Sequence, residues 1–161
     1  MTAVGSKIKY IDGVGLVKME VLVSEEDVKK KDEEVRRKIE ELFRKAEQNE
    51  CKYIIDETEL LISVEGDIVT LYLYNYNHII AVELDRKEKI AVFDREFSIS
   101  IEEFEQMLEA FISAKQVLEK VCVTAEERKM FINEFAEKFS IWNPLQAVEK
   151  AIREVFGGEG A

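Results

Sequence analysis

The sequence predicts an α+β fold: an antiparallel sheet of five to six strands, built from an N-terminal hairpin plus a four-strand meander, with helices packed mainly on one face. The predicted element order is ββ-α-ββββ-ααα. Three observations carry this. Apolar residues recur at every second position between Lys52 and Ser100 but at helical spacing before and after it. Strand-like and helix-like segments are segregated along the chain, whereas a parallel sheet needs them alternating. The period-two segments are joined by short turns, which pair neighbours antiparallel.

The elements follow in order. "KIKYID" and "LVKMEVLV" flank "DGVG", and Asp12-Gly13 between apolar runs is a hairpin signal. No helix starts after "GVG", so a phosphate-binding loop would lack the helix terminus that reinforces it. Ser24, with Asp27 three residues on, opens a long helix whose apolar stripe is Val28, Val35, Ile39, Leu42, Phe43 and Ala46. Its remaining positions are charges suited to i,i+4 pairing. "KYIID" (Lys52 to Asp56) reads as a short strand or an extended lead-in. "ELLISVEG", "DIVTLYLYNYN", "IIAVELD" and "KIAVFD" then read as four consecutive strands. Ser100 with Glu103, and Thr124 with Glu127, are two capping boxes that start helices. Asn143-Pro144 starts the last helix, and Gly157-Gly158 stops it. The expected organisation is one domain over 1–156 with a flexible tail at 157–161.

Composition narrows the function. The chain has 161 residues and a net charge of −11, from 34 acidic and 23 basic residues. Such a surface repels phosphate backbones and anionic membranes and favours basic-surfaced protein partners. No apolar run reaches the roughly 20 residues that span a bilayer. The first residues, "MTAVGSKIKY", lack a signal-peptide core, so the expected compartment is the cytoplasm. Cys51 and Cys122 match no metal or redox spacing, and a disulfide between them is not expected. Abundant Lys and Glu with few Gln give the composition a thermophile-like character.

Tyr72, Tyr74 and Tyr76 fall on alternate positions, with the only histidine, His78, behind them. Parity assigns Leu60, Ile62, Val64, then Val69, Leu71, Leu73, then Ile80, Val82, Leu84, then Ile90 and Val92 to the helix-covered face. The tyrosines fall on the other face, among Glu59, Ser63, Glu65, Ala81, Glu83 and Ala91. Aromatic rings on a sheet can stack single-stranded nucleic acid, but such surfaces need Arg or Lys beside the rings, and these neighbours are small or acidic. Tyrosine also suits a half-wet protein contact. The helix from Thr124 carries Met130, Phe131, Ile132, Phe135, Phe139, Ile141 and Trp142, more apolar residues than one stripe holds.

No nucleotide-binding or hydrolase motif is present, and no cofactor is expected. A glutamate-rich helix (Glu34, Glu41) followed by Asp67 and "ELDRK", with Glu83, Asp85 and Lys87, loosely resembles the layout of PD-(D/E)xK nucleases over residues 34–87. That resemblance implies Mg²⁺ held by Asp67 and Asp85, with Lys87 assisting an attacking water. The proline that precedes the first acid in that family is absent here. The leading expectation is a non-enzymatic protein-interaction module, self-associating as a dimer, that acts as a regulatory, adaptor, chaperone-like or inhibitor subunit. Its expected contact residues are Tyr72, Tyr74, Tyr76, Phe131, Phe135 and Trp142. The nuclease and a tyrosine-based single-strand binder are its alternatives.

Overall fold

A computed structural model describes the backbone of residues 2–11 and 15–157 and the side chains of residues 26–157. The fold is α+β, and the chain divides into two compact units, residues 1–38 and 39–161.

The first unit contains the predicted hairpin. Strand β1 (Thr2–Ile11) pairs antiparallel with β2 (Gly15–Ser24), from Ile11 opposite Gly15 to Thr2 opposite Ser24. The turn residues 12–14 and the Ser24 side chain lie outside the described residues. Helix α1 (Glu25–Glu47) follows, and its first half carries an Asp32–Arg36 ion pair at 3.1 Å. Val28 and Val35 are exposed rather than core-facing, so the predicted stripe begins only at Ile39. The hairpin is a separate two-stranded sheet, not part of the meander as expected.

The second unit holds a six-stranded, wholly antiparallel sheet in sequential order. Its strands are β3 (Cys51–Ile55), β4 (Thr58–Glu65), β5 (Ile68–Tyr74), β6 (Ile79–Asp85), β7 (Ile90–Phe93) and β8 (Phe97–Ile99). "KYIID" is therefore a true strand, and the three-residue β8 was not anticipated. Helices α2 (Ile101–Lys120), α3 (Ala125–Lys138) and α4 (Pro144–Phe156) complete the unit. Both predicted capping boxes form: Ser100 and Thr124 accept from the Glu103 and Glu127 amides, and each glutamate accepts in return from the cap residue. Pro144 opens α4, but Asn143 donates to Gln146 instead of capping. Gly157 closes α4 in the left-handed region, φ 63°. Residues 158–161 lie outside the described residues.

One sheet face is fully covered. Leu60, Ile62, Val69, Leu71, Leu73, Val82 and Leu84 are buried beneath Leu42 and Phe43 of α1, Phe104 and Phe111 of α2, and Phe131 and Phe135 of α3. Helix α3 packs against β3, β4 and β5 on one side and α4 on the other, while α4 also packs on α2. Of the apolar surplus noted for α3, Phe131, Ile132 and Phe135 are thus buried within the chain, while Met130 and Trp142 stay exposed. Arg86 closes one end of this core. Its guanidinium lies 4.3 Å from the Phe43 ring centre and bonds Glu40 (3.2 Å), Asp67 (3.3 Å) and the Gly66 carbonyl (2.9 Å).

The parity assignment fails at one strand. Residues 86–89 make a four-residue connection, so Asp85 pairs with Ile90 and Leu84 with Ala91. Partners across an even-length turn have opposite sequence parity. Ala91 is therefore buried in the core, with Phe93 on the same face, and Ile90 and Val92 move to the opposite, open face.

Candidate functional site

The open face can be built row by row from the strand register. At one end, Ile54, Glu59, Tyr74 and Ile79 lie side by side across β3 to β6. The next row is Lys52, Leu61, Tyr72 and Ala81. Beyond it come Ser63, Thr70, Glu83 and Val92, then Glu65, Ile68, Asp85 and Ile90. Along β5 the residues alternate between fully buried and half-exposed, so no helix of this unit covers that face. Ile54 and Ile79 are 58% and 61% exposed, unusual for isoleucines on a sheet; Ile79 lies directly beside Tyr74, and Glu59 separates Ile54 from it.

Tyr72 and Tyr74 are brought together: their rings lie 6.5 Å apart and within 9° of parallel. That separation is about the two-residue repeat of a strand, so the backbone sets the arrangement. Burial, then the neighbouring Glu59 charge and Tyr74, hold the Tyr72 hydroxyl above its ordinary pKa. The Tyr72 hydroxyl stays protonated at neutral pH and is available to donate to a partner.

Tyr76 does not continue the stripe. Strand β5 ends at Tyr74, and residues 75–78 form a loop in which Tyr76 is 74% exposed beside Asp56, Glu57 and Lys129. Asn75 fixes this loop. It is fully buried; its amide donates to Glu137 Oε1 (2.9 Å), Asn133 Oδ1 (3.1 Å) and the Asn133 carbonyl (3.2 Å) on α3. Its Oδ1 accepts the backbone amides of Asn77 (2.9 Å) and His78 (2.8 Å). Asn77 and His78 add side-chain contacts to Glu137 at 2.8 and 3.2 Å. These bonds, the Asn77 amide first, hold the Glu137 carboxyl below its ordinary pKa. His78 therefore orients with Glu137 of α3. The predicted strand runs on to Asn77, so neither this loop nor its partners on α3 are identified from the sequence.

Phe131 and Phe135 are corrected as contact residues. Both are fully buried, Phe135 packing edge-on against Phe111 and Phe139, because α3 is enclosed by the sheet and α4. Trp142 does lie at the surface, 81% exposed, in the turn between α3 and α4.

The three nuclease-type residues sit at the opposite end of the sheet from Tyr76. The Asp67 carboxylate bonds Arg86, and Asp85 Oδ1 accepts the amides of Lys87 and Glu88, holding the turn in which Lys87 lies. The register brings Asp67 and Asp85 to one end of the sheet, where each serves local structure. Among the described residues, no group of three His, Cys, Asp or Glu side chains is placed to hold a metal ion. Both cysteines are free, and burial raises the Cys51 thiol to about 11. No helix among the described residues is long and apolar enough to cross a membrane. No protein-family model, curated protein or solved structure matches the chain.

Proposed function

We propose that this chain is a non-enzymatic protein-interaction module that engages a basic-surfaced protein through the open face of its six-stranded sheet. One observation carries the reading: the row Ile54, Glu59, Tyr74 and Ile79, backed by Tyr72 and Leu61, places large apolar and aromatic groups on a face that no helix of the unit covers. Aromatic and large aliphatic side chains gathered on one uncovered face resemble the make-up of protein contacts. Glu59, Glu65, Glu83 and Asp85 outnumber the basic residues Lys52 and Arg95 on that face, which favours a cationic partner over a nucleic acid or a second acidic surface. A regulatory, adaptor, chaperone-like or inhibitor role is compatible with such a contact. Two copies meeting through this face would set acidic groups against each other, so the expected dimer is not part of this proposal.

The test is position-specific crosslinking. A photoreactive benzoylphenylalanine at position 74 in native extract should give a discrete product that weakens when Tyr72→Ser is added. The same group at Glu149, on the exposed side of α4, should not give it. A product of twice the chain mass would identify a second copy, confirmed by sedimentation over a concentration series. Equal labelling from positions 74 and 149 would overturn the proposal.

A further inference from the structure

A second surface feature lies apart from the open face, at the β8 edge of the sheet. A cleft of about 370 Å³ is walled by Phe93 and Phe97 from the last two strands, Ile99, Ile141 and Trp142, with Glu103 of α2 at its side. Phe97 and Trp142 are 58% and 81% exposed, so two aromatic rings stand at the rim and a third, half-buried, lies within. Among the residues lining it, Glu103 alone is charged. Its position is fixed: Oε1 accepts the Ser100 amide at 2.9 Å in the capping box, in the first turn of α2.

We infer that this cleft binds an alkylated ammonium group. The argument is one of matching solvation and charge. Aromatic faces attract a cation through the ring quadrupole, most strongly when the cation is weakly hydrated. A bare ammonium or metal ion keeps its water and gains little from phenyl and indole walls. A hydrocarbon would fill the cleft but leave the carboxylate without a counter-charge. A methylated ammonium offers an apolar surface to Phe93, Phe97 and Trp142, and its positive charge to Glu103. The chain's net charge of −11 raises the local concentration of such cations. Two sources carry this chemistry, a small molecule of the choline type and a methylated lysine side chain. This inference does not depend on the open-face reading, since the two sites share no residue.

Trp142 is the only tryptophan, so its fluorescence reports the cleft directly. Titration with choline chloride should give a saturable change in the millimolar range, where sodium chloride at equal ionic strength gives none. 3,3-Dimethylbutan-1-ol, the uncharged isostere of choline, should bind about tenfold more weakly. Phe97→Ala should weaken choline about tenfold. Glu103→Gln, which keeps the capping box, should weaken it several-fold with the circular dichroism unchanged. An alanine-rich peptide carrying trimethyl-lysine, compared with choline and with the unmodified peptide, identifies the source by which binds tighter. Equal binding of choline and its isostere, no saturable change with choline, or full affinity in both variants would overturn the inference. Should either variant lose its fold, the choline–isostere ratio on the unaltered chain still decides.

Discussion

Phe131 and Phe135 on α3, and Tyr72 and Tyr74 on β5, are two aromatic pairs in the same unit with opposite surroundings. The phenylalanines are fully buried, with the sheet on one side of their helix and α4 on the other. The tyrosines share a strand with Leu71 and Leu73, which are as buried as the phenylalanines, yet remain half-exposed themselves. The difference lies in the number of layers: a helix between two layers can bury an apolar surface wider than one stripe, while the sheet here has helices on only one face. An aromatic excess in the sequence is thus ambiguous until the layers are counted. Tyrosine is also the residue better suited to the half-wet position, since its hydroxyl can stay hydrated while the ring packs.

Substitution should separate the two pairs most sharply. Phe135→Ala should cost about 3–5 kcal/mol of stability by opening a cavity among Phe111, Phe131 and Phe139, whereas Tyr74→Ser should cost about 1 kcal/mol or less. Urea denaturation of both variants checks this, and similar losses would mean that the open face is covered in solution. A smaller effect is expected at the loop between the faces. Asn75→Ala should destabilise by about 1–3 kcal/mol, because it leaves the Asn77 and His78 amides and the Asn133 carbonyl without their partner. Hydrogen exchange should speed up at residues 77 and 78 and stay unchanged in the centre of β5. The smallest effect depends on pH. The folded Glu137 carboxyl lies below its ordinary value of 4.5, so its contribution is complete above that value and is lost as pH falls through the folded pKa. Melting temperatures of Glu137→Gln and the unaltered chain should differ at neutral pH and converge in acid. A gap that stayed constant down to pH 2 would show that the amide contacts, not the charge, hold the loop.

Local alternation and cap chemistry made much of this architecture legible in the sequence. Four strands, both capping boxes and the proline start of α4 required only neighbouring residues to read. What failed depended on distance. Ile90 and Val92 are more typical core residues than Ala91, yet the length of the preceding turn, not hydrophobicity, decides which face they take. The hairpin carries the same alternation as the meander, and nothing in its residues indicates that it forms a separate sheet. Three-residue β8 is too short to show a period. The open-face tyrosines and exposed Trp142 were visible as candidates. The Asn75–Glu137 clasp was not, because its partners are 62 positions apart and no motif marks either.

That clasp has a consequence for Tyr76. An exposed ring on a surface loop ordinarily sits on a backbone with many conformations, which a partner must restrict on binding. Here the loop's neighbouring amides and its first residue are already tied to α3 through Asn75, before anything touches the ring. The entropy of ordering that loop is taken from folding rather than from association. A partner meeting Tyr76 would therefore lose mainly side-chain freedom, so a contact of modest area at this corner could be tighter than its size implies.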